Sequence, residues 1–230
     1  MKSMKIDLPK SLAQMVAMRL RKAIIDGEIG LGENIAEEKL ADSFGVSRTP
    51  VRDALIQLEQ QGLVTIRPKR GSFVFMPTAE DVAMICEYRK MIEVKAMQLA
   101  VAHDKETLLT RLRHVVSDMD RAMHDDDSVG YGQLDTDFHQ AFVDCARNRY
   151  VTDAYALVSG QVAALRTHLT RPIERLRELS FDEHKMFVDF VRAEDFSAFQ
   201  SLMDVHVDRT GEVYMTALSD SADERIELHG

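Results

Sequence analysis

Proline and glycine divide this chain into two parts and limit each to a different kind of architecture. Pro9, Pro50, Pro68 and Pro77 fall in the first 77 residues and only Pro172 follows; 6 of the 11 glycines lie in that first third too. Proline interrupts helices and glycine permits sharp turns, so residues 1–77 are predicted to be short elements and residues 78–230 long helices. Within the first part, Leu12, Met15, Val16, Leu20, Ala23 and Ile24 recur at helical spacing from Ser11, and Gly27 ends that helix. A second helix spans about Ala36 to Phe44 and stops at Gly45, with Val46 as a core plug. A third is capped by Ser47 or Thr49, carries Pro50 in its first turn and runs to Gln61. Two β runs, Leu63–Ile66 and Ser72–Phe75, flank the basic turn Arg67-Pro-Lys-Arg-Gly71.

Helix, helix, turn, helix, hairpin is the order of a winged helix-turn-helix, and the charge distribution agrees with it. The whole chain has a formal net charge of -9, yet residues 1–77 hold 12 Lys+Arg against 9 Asp+Glu, and the remainder 17 against 29. A locally basic module on an acidic body suits contact with phosphates. Arg48 and Arg52 lie one turn apart at the start of the third helix, the end that meets base edges in this geometry, and Thr49 adds a hydroxyl. Arg70 and Gly71 form the wing tip, where a glycine lets backbone approach a groove closely. Singly, each of these charges also fits a solvated surface; as an ordered set they point to double-stranded DNA. The run EEKLADSFGVSRTPVRDALIQLEQQGLV followed by RGSFV resembles the DNA-binding domain of the GntR family of bacterial transcriptional regulators. That resemblance puts the DNA contacts on Arg48, Thr49, Arg52 and Gly71, with a basic wing residue at Arg70. The family's usual Pro-Gly before the second helix is Leu31-Gly32 here, and Glu33, Glu37 and Glu38 are read as solvated or capping acids.

Residues 78–230 show no strand-like alternation. Helices are expected from the Thr78 N-cap to about His103, then over 105–124, 129–146, 150–170, 180–193 and 195–217, giving an all-α bundle of six or seven helices. His124–Asp127 reads as a solvated helix end and the last dozen residues, SDSADERIELHG, as a loose tail. Cys86 and Cys145 form no CxxC pair and are read as core thiols. No stretch approaches a membrane span, and Met1 to Val16 lacks the apolar block of a secretory signal, so a cytoplasmic protein is expected.

Four polar residues interrupt the apolar stripes of the bundle. Asp135 and His139, at i and i+4, share a helix face; His184 begins the stripe of Phe187, Val188 and Val191; His206 stands one turn beyond Leu202 and Met203. Converging from three helices, they would offer four ligands to a divalent metal with open positions left over; singly, each histidine also fits a hydrogen-bonded core position. The segments LDTDFHQAFVDCARN, EHKMFVDFVRAED and LMDVHVDR resemble the FCD effector-binding domain of FadR-type regulators. The resemblance implies metal ligands at Asp135, His139, His184 and His206; zinc or nickel is the ion expected on purification, an identity that follows availability as much as physiology. It also implies effector contacts at Arg89 and Asn148, although Arg89 equally suits a salt bridge to Glu93.

The expected protein is a homodimeric, ligand-responsive regulator with a winged helix over residues 1–77 and an effector-binding and dimerisation domain over 78–230. One recognition helix reads only a few base pairs, hence the dimer. A small carboxylate is the expected effector and repression the expected sign. A metal-dependent hydrolase is an alternative, since such a site can activate water, but HExxH is absent and a hydrolase gives no reason for a winged helix. A regulator responding to the metal alone is a third reading.

Overall fold

The structure is a computed structural model that describes residues 11–170 and 174–227, with side chains to residue 219. Residues 1–10, on which part of the N-terminal reading rests, together with Pro172 and His229, lie outside the described residues. Two compact units meet between Met76 and Pro77.

In the first unit the order is α1 (Leu12–Ile25), β1 (Asn34–Ile35), α2 (Glu37–Phe44), α3 (Arg48–Gln60), β2 (Val64–Arg67) and β3 (Gly71–Val74). Ser11 opens α1 in a reciprocal capping box with Gln14. Gly45 ends α2 in the left-handed region at φ 66°, which lets the chain reverse before α3. Val16, Leu20, Ile24, Val51, Leu55 and Leu58 bury the facing stripes of α1 and α3. Val46, expected as a core plug, is only half-buried; its amide instead closes the turn on Ala41 O at 3.0 Å. The hairpin pairs Val64 with Val74 and Arg67 with Gly71, and β1 adds a third antiparallel strand in the order β1-β3-β2. Sequence reading missed β1 because two residues are too short to show an alternation. Gly71 sits at φ 104°, and a Cβ there would meet Asn34 Nδ2 at 3.3 Å, so both conformation and space require glycine.

The second unit is built from α4 (Ala79–His124), α5 (Ser128–Cys145), α6 (Arg149–Leu165), α7 (Glu174–Ala193) and α8 (Phe196–Glu227). Thr78 and Asp81 form the capping box that starts α4. Asp104 breaks α4 with extended φ −165°, and its carboxylate accepts from the Thr107 amide and hydroxyl, so it caps the second segment. Counting that break, the bundle has six helical segments among the described residues, and α4 packs along α5, α7 and α8.

Three boundaries differ from expectation. The helix expected over 150–170 is α6 followed by a π-helical turn, Arg166–Thr170. The helix α7 starts at Glu174, because ERLREL is composed mainly of good helix formers although it lacks an apolar stripe. Helix α8 continues to Glu227 through most of the expected loose tail, a stretch that contains neither glycine nor proline. Phe138, Phe142, Phe187 and Phe199 are completely buried and pack ring to ring at centroid separations of 4.8–6.3 Å. At roughly 1.5–3 kcal/mol each, they fix the helix faces that carry the histidines. No helix among the described residues is long and apolar enough to cross a membrane.

Candidate metal centre and nucleic-acid interface

Helical spacing places Asp135 and His139 on the buried face of α5, opposite His184 of α7 and His206 of α8. All four are buried, and one ligand atom from each lies within 4.8 Å of the others. The three imidazole centroids form a near-equilateral triangle with sides of 5.5, 5.3 and 5.3 Å.

The hydrogen bonds behind the rings decide what they offer. His184 Nδ1 lies 2.6 Å from Ser180 O, a carbonyl that only accepts, so Nδ1 carries the proton and Nε2 is left as a lone pair. His139 Nδ1 donates to Glu93 Oε2 at 2.6 Å and His206 Nδ1 to Glu183 Oε2 at 2.7 Å. Both carboxylates are ionised. Burial opposes this, but Arg89 and His139 hold Glu93 well below the ordinary range, and Arg209 and His206 bring Glu183 down to about 2. The Nε2 atoms of His139 and His184 are buried without any hydrogen-bond partner. Leaving such an acceptor unpaired costs about 1–3 kcal/mol, so satisfied core histidines do not account for the cluster. Oriented Nδ1–H groups with Nε2 lone pairs and a carboxylate converging on one point are a donor set that fits a divalent ion.

Electrostatics keeps His184, His206 and Asp135 unprotonated. Burial lowers His184 to about 3, aided by His206 and His139, and burial also lowers His206. Burial by itself would raise Asp135; Arg166, helped by the histidines, reverses this and holds it ionised. The sign of the linkage follows. A histidine depressed in the folded state binds fewer protons folded than unfolded, so its stabilisation is complete above about 6.5 and is lost as pH falls from there toward 3. We therefore expect the metal-stripped protein to lose stability below about pH 6.5, by at most about 1.4 kcal/mol per pH unit per histidine. Urea unfolding at pH 7.5, 6.5 and 5.5 measures this, and a stability that rises on acidification would refute it.

Beside the cluster is a cavity of about 40 Å³ lined by Arg89, Tyr131, Asp135, Arg166, Arg177 and His206 among others. Arg89 is 1% exposed; its Nε donates to Glu93 Oε1 at 2.8 Å, while its Nη2 is buried without a partner. Its expected pairing with Glu93 and its expected place at the cavity therefore coexist. Asn148 is not brought to the cavity: its Oδ1 accepts from the Tyr150 amide at 3.0 Å as the N-cap of α6.

Arg166 went unrecognised in the sequence. It pairs with Asp135 and donates from Nη1 to Thr136 Oγ1 at 2.7 Å. Its signal was a lone arginine four residues after Val162, continuing an apolar face. Glu183 adjoins His184 in the chain, yet neighbouring helix positions point to different sides, and that divergence takes Glu183 to His206.

In the first unit, Arg48, Thr49 and Arg52 are exposed on the first turns of α3, and Lys69 and Arg70 on the wing. Both α3 arginines have partners that the sequence reading did not assign. Arg48 Nη2 lies 2.6 Å from Glu38 Oε1, and Arg52 Nη2 lies 3.0 Å from Glu37 Oε2. With the arginine side chains 58% and 63% exposed, such pairs contribute no more than about 1 kcal/mol and exchange readily for phosphate or base oxygens.

Comparison with known proteins adds two family matches. The model of bacterial regulatory proteins of the gntR family matches residues 12–74, and that of the FCD domain matches residues 84–209. The uncharacterized HTH-type transcriptional regulator YdhC of Bacillus subtilis (strain 168) is 33% identical over 66% of this chain and 68% of its own length. The HTH-type transcriptional repressor RspR of Escherichia coli (strain K12) is 28% identical over 74% of this chain and 69% of its own. A crystal structure of a GntR-type protein from Rhodococcus sp. RHA1 shares the fold, with a TM-score of 0.79 at 24% identity, covering 90% of this chain and 99% of that one.

Proposed function

This chain belongs to the GntR family of bacterial transcriptional regulators, with an FCD effector domain behind its DNA-binding domain, and from that premise we propose that it is a metal-loaded, carboxylate-responsive repressor. The observation that carries the proposal is the pair of unsatisfied features side by side: converging imidazole lone pairs, and next to them a cavity lined by Arg89 with an unpartnered Nη2. Asp135, His139, His184 and His206 would hold the ion, which supplies an open Lewis-acidic position for an oxygen donor. Glu93, Ser180 and Glu183 aim the three rings, and Arg89 takes the far end of the ligand. A cavity with an unpartnered arginine nitrogen favours an organic effector over the metal alone as the signal. Glu183 engages Arg209 and His206 with its two oxygens, so it is not placed as the base that a hydrolase would need.

Effector bound in the second unit changes operator affinity in the first by a coupling of about 1–3 kcal/mol, and operator must change effector affinity by the same factor. A homodimer would present two recognition helices to a two-fold symmetric operator in the cytoplasm. Repression relieved by effector accords with RspR, itself described as a repressor. Titrating labelled operator with metal-loaded protein, with and without candidate carboxylates, tests the reading; a ligand that saturates the metal site and leaves operator affinity unchanged would overturn it.

The wing separates affinity from specificity. Replacing Arg70 with alanine should weaken binding to all sequences alike and lower the slope of log K against log salt by about one, because it removes one phosphate contact. Loss at only one operator sequence, with an unchanged slope, would contradict a phosphate role.

A further inference from the structure

The first turn of α2 carries Glu37 and Glu38, and both carboxylates reach across to the arginines of α3. Negative charge at a helix N-terminus is favourable by itself, but that does not direct a carboxylate onto the neighbouring helix. Each acid also opposes the approach of DNA, because it offsets an arginine that phosphates would attract. An acid on a DNA-reading surface is accounted for when it meets a base donor, and the major groove presents such donors on cytosine and adenine. The two acids differ in what they can meet. The Glu37 side chain is 31% exposed and sheltered against Arg52, whereas Glu38 is 72% exposed beside an Arg48 that is 58% exposed.

The pair of Arg48 and Glu38 has an order that a base pair can match. Arg48 Nη2 donates to Glu38 Oε1 at 2.6 Å, so a guanidinium edge and a carboxylate lie side by side. Nη2 keeps a second proton, and Nη1 supplies another donor, which makes the sequence donor, donor, acceptor. Across the major groove a G·C pair presents guanine N7, guanine O6 and cytosine N4 as acceptor, acceptor, donor, the exact complement. O6 and N4 are bonded to each other at about 2.9 Å, a spacing close to that of the side-chain pair. An A·T pair presents acceptor, donor, acceptor, so its middle group meets Nη2 donor to donor.

We propose that Glu38 is a specificity-determining residue: with Arg48 it reads one G·C pair, Arg48 on guanine O6 and N7 and Glu38 on the cytosine N4 amino group. The inference rests on the assignment of Arg48 to a base edge. Because the carboxylate repels phosphates in any sequence, it holds down binding to random DNA and is compensated only where the amino group is present. The full-length chain first selects its site from a random-sequence duplex library. Each cytosine of that site is then replaced in turn by pyrimidin-2-one, which still pairs with guanine but lacks the amino group. At one position of each half-site the original protein should lose about tenfold in affinity, and Glu38→Ala much less, since its contact is already gone. Glu37→Gln removes an equal charge from the neighbouring residue and should keep the full loss. Equal losses in the original protein and Glu38→Ala at every cytosine would overturn the role of Glu38, and Arg48 keeps its assignment if Arg48→Ala selects an altered site. If Arg48→Ala selects the unaltered site, both fall together.

Discussion

Asp135→Ala should strip the protein of its metal and destabilise the second unit by about 3–5 kcal/mol, the largest single-residue effect expected in the chain. Two losses coincide at this residue. The ion loses its only carboxylate ligand, and Arg166, 9% exposed, loses the carboxylate that neutralises it. Removing one partner of a buried ion pair leaves the other charge in a medium that solvates it poorly, which is why the cost exceeds that of an exposed pair severalfold. For a domain of this size each kcal/mol lowers the melting temperature by roughly 2–4 °C. Metal per chain by elemental analysis and thermal melting measure the two effects separately. Glu183→Gln provides the graded case, since it leaves all four ligands in place and removes the carboxylate that orients His206 and pairs with Arg209; metal affinity should fall about 10–100-fold. Full metal content in Asp135→Ala/His184→Ala would show that the ion binds elsewhere.

Arg48→Ala/Arg52→Ala should abolish preference for the operator while leaving the fold untouched. If each arginine reads a base edge, each is worth about 1–3 kcal/mol of discrimination, so the double variant should approach the protein's affinity for random DNA. Stability should stay within about 0.5 kcal/mol of the original, because both side chains are mostly exposed and their pairs with Glu38 and Glu37 lie on the surface. The same pairs give a second readout. Glu38→Gln and Glu37→Gln release an arginine without removing it, and each should raise affinity for DNA modestly at low salt. Operator affinity that survives the double arginine substitution would remove the recognition surface from α3.

The structure changes how one residue is to be tested. From spacing, Arg89 and Glu93 form an i, i+4 pair that could lie on any helix surface, and replacing Arg89 would then be a clean probe of ligand binding. In the fold both are buried, Glu93 also accepts from Tyr155 at 3.1 Å, and Glu93 orients His139. Arg89→Ala would leave that carboxylate without its cation and disturb the group that orients His139, so its effect on ligand binding has to be read beside metal content. Asn148 illustrates the reverse case: a residue matched to a family pattern is engaged in a local cap, and the cap is itself a sequence-local interaction that an asparagine just ahead of a helix foretells.

The sequence by itself determined the division into a turn-rich unit and a helical unit, the winged helix with its exposed arginines, and the shared face of Asp135 and His139. These depend on proline, glycine and periodicity, which act over a few residues and are written in order along the chain. Only the tertiary structure decided which nitrogen of His139 and of His206 faces inward. That choice is made by Glu93 for His139, 46 residues away, and by Glu183 for His206, 23 residues away, and partners so distant meet only when helices pack. The same holds for Arg166 against Asp135, and for the acids of α2 against the arginines of α3. Pairing across elements reflects which faces the buried aromatic core brings together, and no local pattern encodes it.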